Sequence, residues 1–130
     1  MKESLQTINP GVDSSLIDKA ISTLIQPTSE TTIIDKNYII YKAIREGLTY
    51  SFRKDGKDDF TTVKLIDFDN PSKNTFTAVN QMWIRGQYNW RRPDVLVFIN
   101  GMPLVFIELK NGNIPVRQAY TKNLKSYLTD

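Results

Sequence analysis

The chain has 130 residues, a formal net charge of +3, and neither cysteine nor histidine. These absences exclude disulfides, zinc sites built from thiolates or imidazoles, and catalytic triads that need cysteine or histidine. Any catalysis must therefore use carboxylates, lysines, hydroxyls or a hard metal ion. The excess of lysine and arginine is compatible with nucleic acid, because phosphates attract cations whatever the base sequence.

No segment is typical of membrane insertion or secretion. The longest uninterrupted apolar run, Val95–Ile99, is far too short to cross a bilayer. No apolar stretch follows the N-terminal residues, so no secretory signal is visible. We therefore expect a cytoplasmic protein with no membrane partner, and the lack of cysteine fits that location.

The predicted elements begin with helices and continue with strands. Apolar residues at helical spacing predict helices over 12–25 and 36–46, with Gly47 ending the second. Alternating or continuous apolar residues predict five strands, over 48–53, 60–66, 76–84, 95–99 and 104–109. The last two are nearly continuous apolar runs, a pattern typical of strands buried on both faces. A closing helix is predicted over 116–128.

These elements predict an α/β (α+β) fold, with a mixed β-sheet of about five strands flanked by helices. The length predicts a single domain over residues 1–130. Because the sequence stops directly after the closing helix, we expect a piece of a longer polypeptide.

Two acids and a lysine stand at the ends of the last two predicted strands. Asp94 precedes one strand, while Glu108 and Lys110, two residues apart on the next, point to one face. Two carboxylates together with the backbone carbonyl of Leu109 make a hard oxygen site that suits Mg²⁺. Lys110 is then placed to orient or deprotonate a water and to steady a phosphate. From spacing alone, a metal site and a chance pairing of surface charges are equally open.

The turn between these strands decides whether the carboxylates meet. A two-residue turn of Asn100 and Gly101 would pair Asp94 with Ile107, which would send the two carboxylates to opposite faces. An odd loop or one β-bulge would instead pair Asp94 with Glu108. We predict the odd loop or the bulge, because one metal needs both carboxylates.

The sequence around these residues resembles a known nuclease motif. Arg91-Arg92-Pro93-Asp94, Asn100-Gly101, Pro103-Leu104 and Glu108-Leu109-Lys110-Asn111 follow each other at the spacing of the PD-(D/E)xK motif. They resemble the version at the N-terminus of the restriction (R) subunit of type I restriction-modification enzymes. Further segments agree with that family, namely Ile66-Asp67-Phe68, Asn70-Pro71, Asn74-x-Phe76 and Val79-Asn80-Gln81.

The resemblance implies a restriction-endonuclease-like core and a catalytic triad of Asp94, Glu108 and Lys110. It implies Mg²⁺-dependent cleavage of double-stranded foreign DNA after ATP-driven translocation, in a complex with modification and specificity subunits. The chain contains no phosphate-binding string G-x-x-x-x-G-K-[ST]. ATP is therefore expected only for the motor domains of the longer subunit, and this chain is at most the nuclease module.

Auxiliary residues follow from the same resemblance. The family's Q-x-x-x-Y element corresponds here to Asn123 and Tyr127, with asparagine in place of glutamine. Glu46, at the end of the second helix, is a candidate additional acid near the metal, or a plain surface charge. Separately from the resemblance, contact with DNA phosphates needs only a reachable positive side chain, with a solvated surface charge as the plainer reading of each one. The candidate DNA-binding residues are Lys54, Lys57, Arg85, Arg91, Arg92, Arg117, Lys122 and Lys125.

Other polar and aromatic residues are expected to have structural roles. We expect Asp67 and Asp69 to be solvated or to form turns. Trp83, Tyr88 and Trp90 are able to stack on bases, but packing in the core or in a loop is the plainer expectation.

Two alternatives remain beside the R-subunit nuclease. One is a non-catalytic module that binds DNA or docks subunits. The other is a different PD-(D/E)xK nuclease, such as a resolvase or a repair nuclease.

Overall fold

The computed structural model describes residues 1–26, 32–54, 56–85, 89–113, 115–118, 120–121 and 125. They fall in two compact units, Met1–Thr75 and Phe76–Asp130. Helices and antiparallel strands confirm the α+β class. No helix among the described residues is long and apolar enough to cross a membrane. The assignment of residues 1–130 to a single domain stays a prediction.

The first unit contains three helices and a β-hairpin: α1 (Lys2–Ile8), α2 (Ser14–Ile25), α3 (Ile33–Glu46), β1 (Leu48–Lys54) and β2 (Lys57–Val63). The two predicted helices and the first predicted strand are confirmed, whereas α1 was not predicted. The second strand spans Lys57–Val63 rather than the predicted 60–66. It begins earlier because its pairing with β1 starts directly beside Gly56, where Lys54 lies opposite Lys57.

Local sequence signals explain where α2 and α3 begin and end. The side chain of Asp13 accepts a hydrogen bond from the backbone N–H of Ser15 at the start of α2. Thr32 and Asp35 form a reciprocal capping box at the start of α3. Gly47 ends α3 as predicted, with a φ of +81° that favours glycine.

A buried core and two buried asparagines hold this unit together. Its buried apolar side chains are Leu5, Ile8, Ile17, Ala20, Ala43, Val63 and Leu65. The Asn9 amide donates to the carbonyls of Leu5 and Lys64 and accepts from the Lys64 N–H, each at 2.8 Å, so it ties the end of α1 to the segment after β2. Such fully used amides can be buried without penalty.

The second buried asparagine, Asn74, closes the loop that begins at Asp67. Asn74 accepts the Asp67 N–H at 2.9 Å and donates to the Asp67 carbonyl at 2.8 Å. Asp67 is only 4% exposed, and its Oδ1 accepts the Asn70 N–H at 3.0 Å. Asp67 is therefore turn-forming, as expected, but it is not solvated.

In the second unit, the described residues form five strands and the start of a helix: β3 (Phe76–Asn80), β4 (Ile84–Arg85), β5 (Trp90–Arg91), β6 (Val95–Ile99), β7 (Met102–Ile107) and α4 (Val116–Gln118). β6 lies between β3 and β7 in a three-stranded antiparallel sheet, and β4 and β5 form a separate antiparallel ribbon. The predicted helix over 116–128 is confirmed at its start, while most of it lies outside the described residues.

Three expectations about the strands need correction. The described strands form antiparallel ladders of two, three and two strands, not one mixed sheet of about five, because short connections favour hairpins over parallel crossovers. The predicted strand over 76–84 is broken at Gln81, whose φ is +50°. β7 is not buried on both faces: it is an edge strand of its sheet, and Val105 is 44% exposed.

Candidate active site

The β6–β7 hairpin contains both a two-residue turn and a β-bulge. Asn100 and Gly101 have φ values of +51° and +84°, as a type I′ turn requires, and Ile99 pairs with Met102. The register then shifts between Val97 and Phe98, so that Val95 pairs with Ile107. An odd loop and a β-bulge were predicted as alternatives, and the β-bulge is therefore confirmed. Bulges commonly re-aim side chains beside functional sites.

The shifted register brings Asp94 and Glu108 to corresponding positions. Both residues directly adjoin the last pair of the ladder, Val95 with Ile107. Because side chains alternate along a strand, Asp94 and Glu108 share a face of the hairpin with Leu96 and Phe106, each two residues away. The two carboxylates thus belong to one end and one face of the hairpin.

Asp94 is fixed from both of its neighbouring strands. Its backbone carbonyl accepts the N–H of Gln81 at 2.9 Å, just beyond the end of β3. Its side-chain Oδ2 accepts the N–H of Leu109 at 2.6 Å, just beyond the end of β7. Among the described residues, the other oxygen, Oδ1, accepts no hydrogen bond. Asp94 is therefore held rigidly, with one carboxylate oxygen available.

Glu108 and Lys110 form a close ion pair. Lys110 Nζ donates to Glu108 Oε1 at 2.9 Å, and the side chains are only 25% and 13% exposed for the lysine and the glutamate. Their contact confirms that the two side chains lie on one side of the chain. Because a shielded charge needs a partner, each side chain supplies the opposite charge that the other requires.

The donor set fits a hard divalent cation. Asp94 and Glu108 supply carboxylate oxygens, and the adjoining Leu109 supplies a backbone carbonyl. Within the described ranges, no group of three or more acidic, histidine or cysteine side chains could hold a metal ion. Two carboxylates with water or substrate oxygens in the remaining positions would suit Mg²⁺.

Among the other predicted site residues, Arg91, Arg92 and Arg117 lie within the second unit and Glu46 lies within the first. Arg92 is exposed beside Pro93, which is fully buried, and Arg91 is half-buried in β5. Arg117 is exposed in α4. Glu46 ends α3 in the first unit and is 60% exposed at its side chain, 3.9 Å from Lys42, so an ordinary surface ion pair accounts for its position. Asn123, Tyr127 and Lys122 lie outside the described residues.

Sequence reasoning missed the role of Gln81. In the sequence, Gln81 stands out only through the resemblance to the family. In the structure, its left-handed backbone ends β3, and its N–H donates to the carbonyl of Asp94. Glutamine rarely adopts this conformation, and such strain is concentrated at functional sites. Only the agreement of Val79-Asn80-Gln81 with the family sequence pointed to this position.

The connection between β3 and β6 also differs from expectation. Trp83 and Trp90 are 59% and 60% exposed, so they do not pack in a core. Tyr88 lies outside the described residues. Trp90 belongs to β5, a strand that was not predicted, and the guanidinium of Arg92 lies 5.1 Å from the centre of the Trp83 ring.

Comparison with known proteins gives consistent relatives. The family model described as "Type I restriction enzyme R protein N terminus" matches residues 1–130. The "Type I restriction enzyme HindI endonuclease subunit" of Haemophilus influenzae is 32% identical over 92% of the chain. The "Putative type I restriction enzyme MjaIXP endonuclease subunit" of Methanocaldococcus jannaschii is 32% identical over 84%.

The chain spans only 11% of the length of each of these two relatives. A third relative, the "Type I restriction enzyme SauMSSORF170P endonuclease subunit" of Staphylococcus aureus, is 38% identical over 51% of the chain and 7% of its own length. The match over all residues 1–130, together with these identities, establishes the family. The chain belongs to the N-terminal domain family of the type I restriction enzyme R subunit.

Proposed function

We propose that this chain is a Mg²⁺-dependent endonuclease domain that hydrolyses phosphodiester bonds of double-stranded DNA. The observation that carries the proposal is the bulged register, which sets Asp94 level with Glu108 at one end of the hairpin. A bulge-free ladder on the same turn would have separated the carboxylates to opposite faces.

Asp94, Glu108 and the Leu109 carbonyl would hold the metal ion. When bound, Mg²⁺ stabilises the charge that develops on a phosphodiester and activates an attacking water. Asp94 would offer Oδ1 to the metal, while the hydrogen bond from the Leu109 N–H to Oδ2 fixes the direction of the carboxylate. This preorganisation supports catalysis, because the Asp94 carboxylate would not need to reorient.

Lys110 is proposed to act on the water and the phosphate. Its Nζ lies beside Glu108, at 2.9 Å from Oε1, so it adjoins the space that the metal and the phosphate would share. From there the ammonium can orient the attacking water or neutralise a phosphate oxygen, and in its neutral form the amine can accept the water's proton. Glu108 meanwhile holds the amine in position.

The relatives' names extend the proposal to a larger assembly. We propose that the chain acts within a type I R subunit, on foreign DNA delivered by ATP-driven motor domains, together with modification and specificity subunits. Arg91, Arg92, Arg117 and Lys122 are proposed to contact DNA phosphates, which requires only reachable positive charge. Asn123, Tyr127 and, less directly, Glu46 are proposed auxiliary residues.

Nicking of supercoiled plasmid tests this function. The full chain would be compared with Asp94→Asn, Glu108→Gln and Lys110→Met, and with Asp69→Asn as a control, since Asp69 is an acid that is 80% exposed in the first unit. We expect Mg²⁺-dependent nicking that the three site variants lose and the control keeps. The same substitutions would be made in the assembled R-subunit complex with ATP, which supplies DNA to the site.

The possible outcomes separate the alternatives. Equal nicking by all folded variants, in the chain and in the complex, would contradict the site assignment. Binding of duplex DNA with no metal-dependent cleavage in either form would favour a non-catalytic docking module. Cleavage that ATP and the other subunits never increase would contradict the proposed action within the assembly.

A further inference from the structure

The β4–β5 ribbon presents an exposed face with an alternating composition. Ile84 pairs with Arg91 and Arg85 with Trp90. Continuing this register by one residue puts Trp83 opposite Arg92, and the 5.1 Å contact between the Arg92 guanidinium and the Trp83 ring agrees with that pairing. Because paired residues in an antiparallel ladder share a face, four side chains form one surface. We call it the Trp–Arg face: Trp83, Arg85, Trp90 and Arg92.

The exposure of this face is unusual. Tryptophan is among the most buried residues on average, yet Trp83 and Trp90 are 59% and 60% exposed. Arg85 and Arg92 are also exposed. On the opposite side of the ribbon, Ile84 is 39% exposed, Arg91 is half-buried, and Pro93, which follows Arg92, is fully buried. The Trp–Arg face thus holds two indoles and two guanidinium groups in solvent.

The chemistry of the face matches an unpaired nucleic-acid strand. Indole rings stack on exposed base faces, and arginines bind phosphates between them, a combination that binds single strands without sequence preference. A duplex offers base edges and phosphates, but its base faces are hidden in the stack. The two tryptophans lie diagonally across the ribbon, about 7–8 Å apart at their backbones, a separation that neighbouring unstacked nucleotides can span.

The position of the face connects it to the candidate active site. Arg92 is followed directly by Pro93 and Asp94 in the same unit. We propose that the Trp–Arg face binds a short unpaired segment of the DNA strand, with bases on Trp83 and Trp90 and phosphates on Arg85 and Arg92. This inference rests on the proposed function: it makes locally unpaired DNA, at a nick or a frayed end, the preferred form of the substrate beside the cleavage centre.

Intrinsic fluorescence gives a direct test, because the chain contains only two tryptophans and both belong to this face. The full chain would be titrated with an oligothymidylate of about 12 nucleotides and with a blunt duplex of equal length. EDTA would be present, so that cleavage plays no part. We expect the single strand to quench the fluorescence and to bind more tightly than the duplex. Absence of quenching, or equal quenching by the duplex, would overturn the proposal.

Variants assign the binding to individual side chains, with affinity read from the anisotropy of labelled oligothymidylate. Trp83→Leu and Trp90→Leu should each weaken binding roughly 5- to 150-fold, while Trp90→Phe, which keeps a stacking ring, should retain most of it. Arg85→Gln leaves both indoles in place and should lower the salt dependence of binding, with a slope that falls by about 0.7. An unchanged affinity or slope would contradict the assignment.

A matched control comes from the first unit, where Lys19 lies 4.8 Å from the ring centre of Tyr50. Lys19→Gln removes a cation from an aromatic ring, as Arg92→Gln does, and should leave oligothymidylate binding unchanged. An equal loss in both variants would overturn the proposal. A chain that binds single strands but never nicks contradicts the proposed function alone, whereas one that nicks but fails to bind contradicts this inference alone.

Discussion

Asp67 and Asp94 are both acids that hydrogen bonds hold in place, but they are held in different ways. Asp67 bonds to Asn70 and Asn74, close neighbours in the sequence, and is 4% exposed. Asp94 bonds to Gln81 and Leu109, which belong to the segments after two different strands. The first arrangement closes a loop, whereas the second fixes one acid beside another across a sheet. The origin of the partners therefore separates a structural acid from a candidate metal ligand.

The largest expected difference comes from removing the charge of each acid. Asp94→Asn keeps an oxygen that can accept the Leu109 N–H, so the fold should survive, but cleavage should fall roughly 100-fold or more because a metal ligand is lost. Asp67→Asn also keeps its acceptor for Asn70, and nicking per folded molecule should stay within about twofold. Plasmid nicking and circular dichroism would measure both. Equal losses in the two variants would erase the distinction.

Substitution of Lys110 separates metal binding from the chemical step of cleavage. Lys110→Met removes the cation that lies 2.9 Å from Glu108 Oε1. Cleavage should fall roughly 100-fold through loss of the proton-transfer or phosphate-binding group. Mn²⁺ affinity, measured by electron paramagnetic resonance, should stay equal or increase, since a competing cation leaves the carboxylate. Loss of Mn²⁺ binding would show that the lysine only maintains the fold of the site.

Asn74→Ala tests the structural half of the comparison. The substitution leaves the buried N–H and carbonyl of Asp67 without the side chain that pairs with them. The free energy of unfolding should decrease by about 2–3 kcal/mol, as measured by urea denaturation. Mn²⁺ binding by the folded protein should not change. A stable variant with impaired metal binding would assign the loop to the site instead.

Gln81 gives the smallest expected effect. Gln81→Gly keeps the N–H that bonds to Asp94 and readily adopts the observed φ of +50°. Its turnover should stay within about threefold of wild type. In Gln81→Val, the branched side chain resists this conformation at a cost of roughly 1–3 kcal/mol, so turnover should fall about tenfold with little change in DNA affinity. If valine is tolerated as well as glycine, the backbone of Gln81 does not position Asp94.

The α+β class and most helices could be predicted from the sequence, because the 3.6- and 2-residue periods are local signals. The bulge was predicted from the requirement that one metal needs both carboxylates, since the Asn100-Gly101 turn alone would pair Asp94 with Ile107. The roles of Asp94, Glu108 and Lys110 stay a prediction. The break at Gln81 and the β4–β5 ribbon were not predictable in the same way. Position 81 is a glutamine, not the glycine or asparagine that normally marks a positive φ. The ribbon depends on pairing between short segments without an apolar pattern.

Prediction also failed for burial within the predicted elements. Asp67 looks like a surface turn residue, since its burial depends on an amide seven positions later. β7 looks like a central strand because its apolar run is continuous, although it is the edge of its sheet. Sequence pattern reports the polarity of a segment, whereas strand order depends on contacts between distant segments.

We propose that Asp94 and Glu108 bind one divalent cation, and anomalous scattering from crystals of the full chain grown with Mn²⁺ would locate that ion. We expect one anomalous peak roughly 2–2.6 Å from an oxygen of each carboxylate, lost in Asp94→Asn and kept in Asp67→Asn. A peak bound elsewhere, or no peak at a Mn²⁺ concentration that supports nicking, would contradict it.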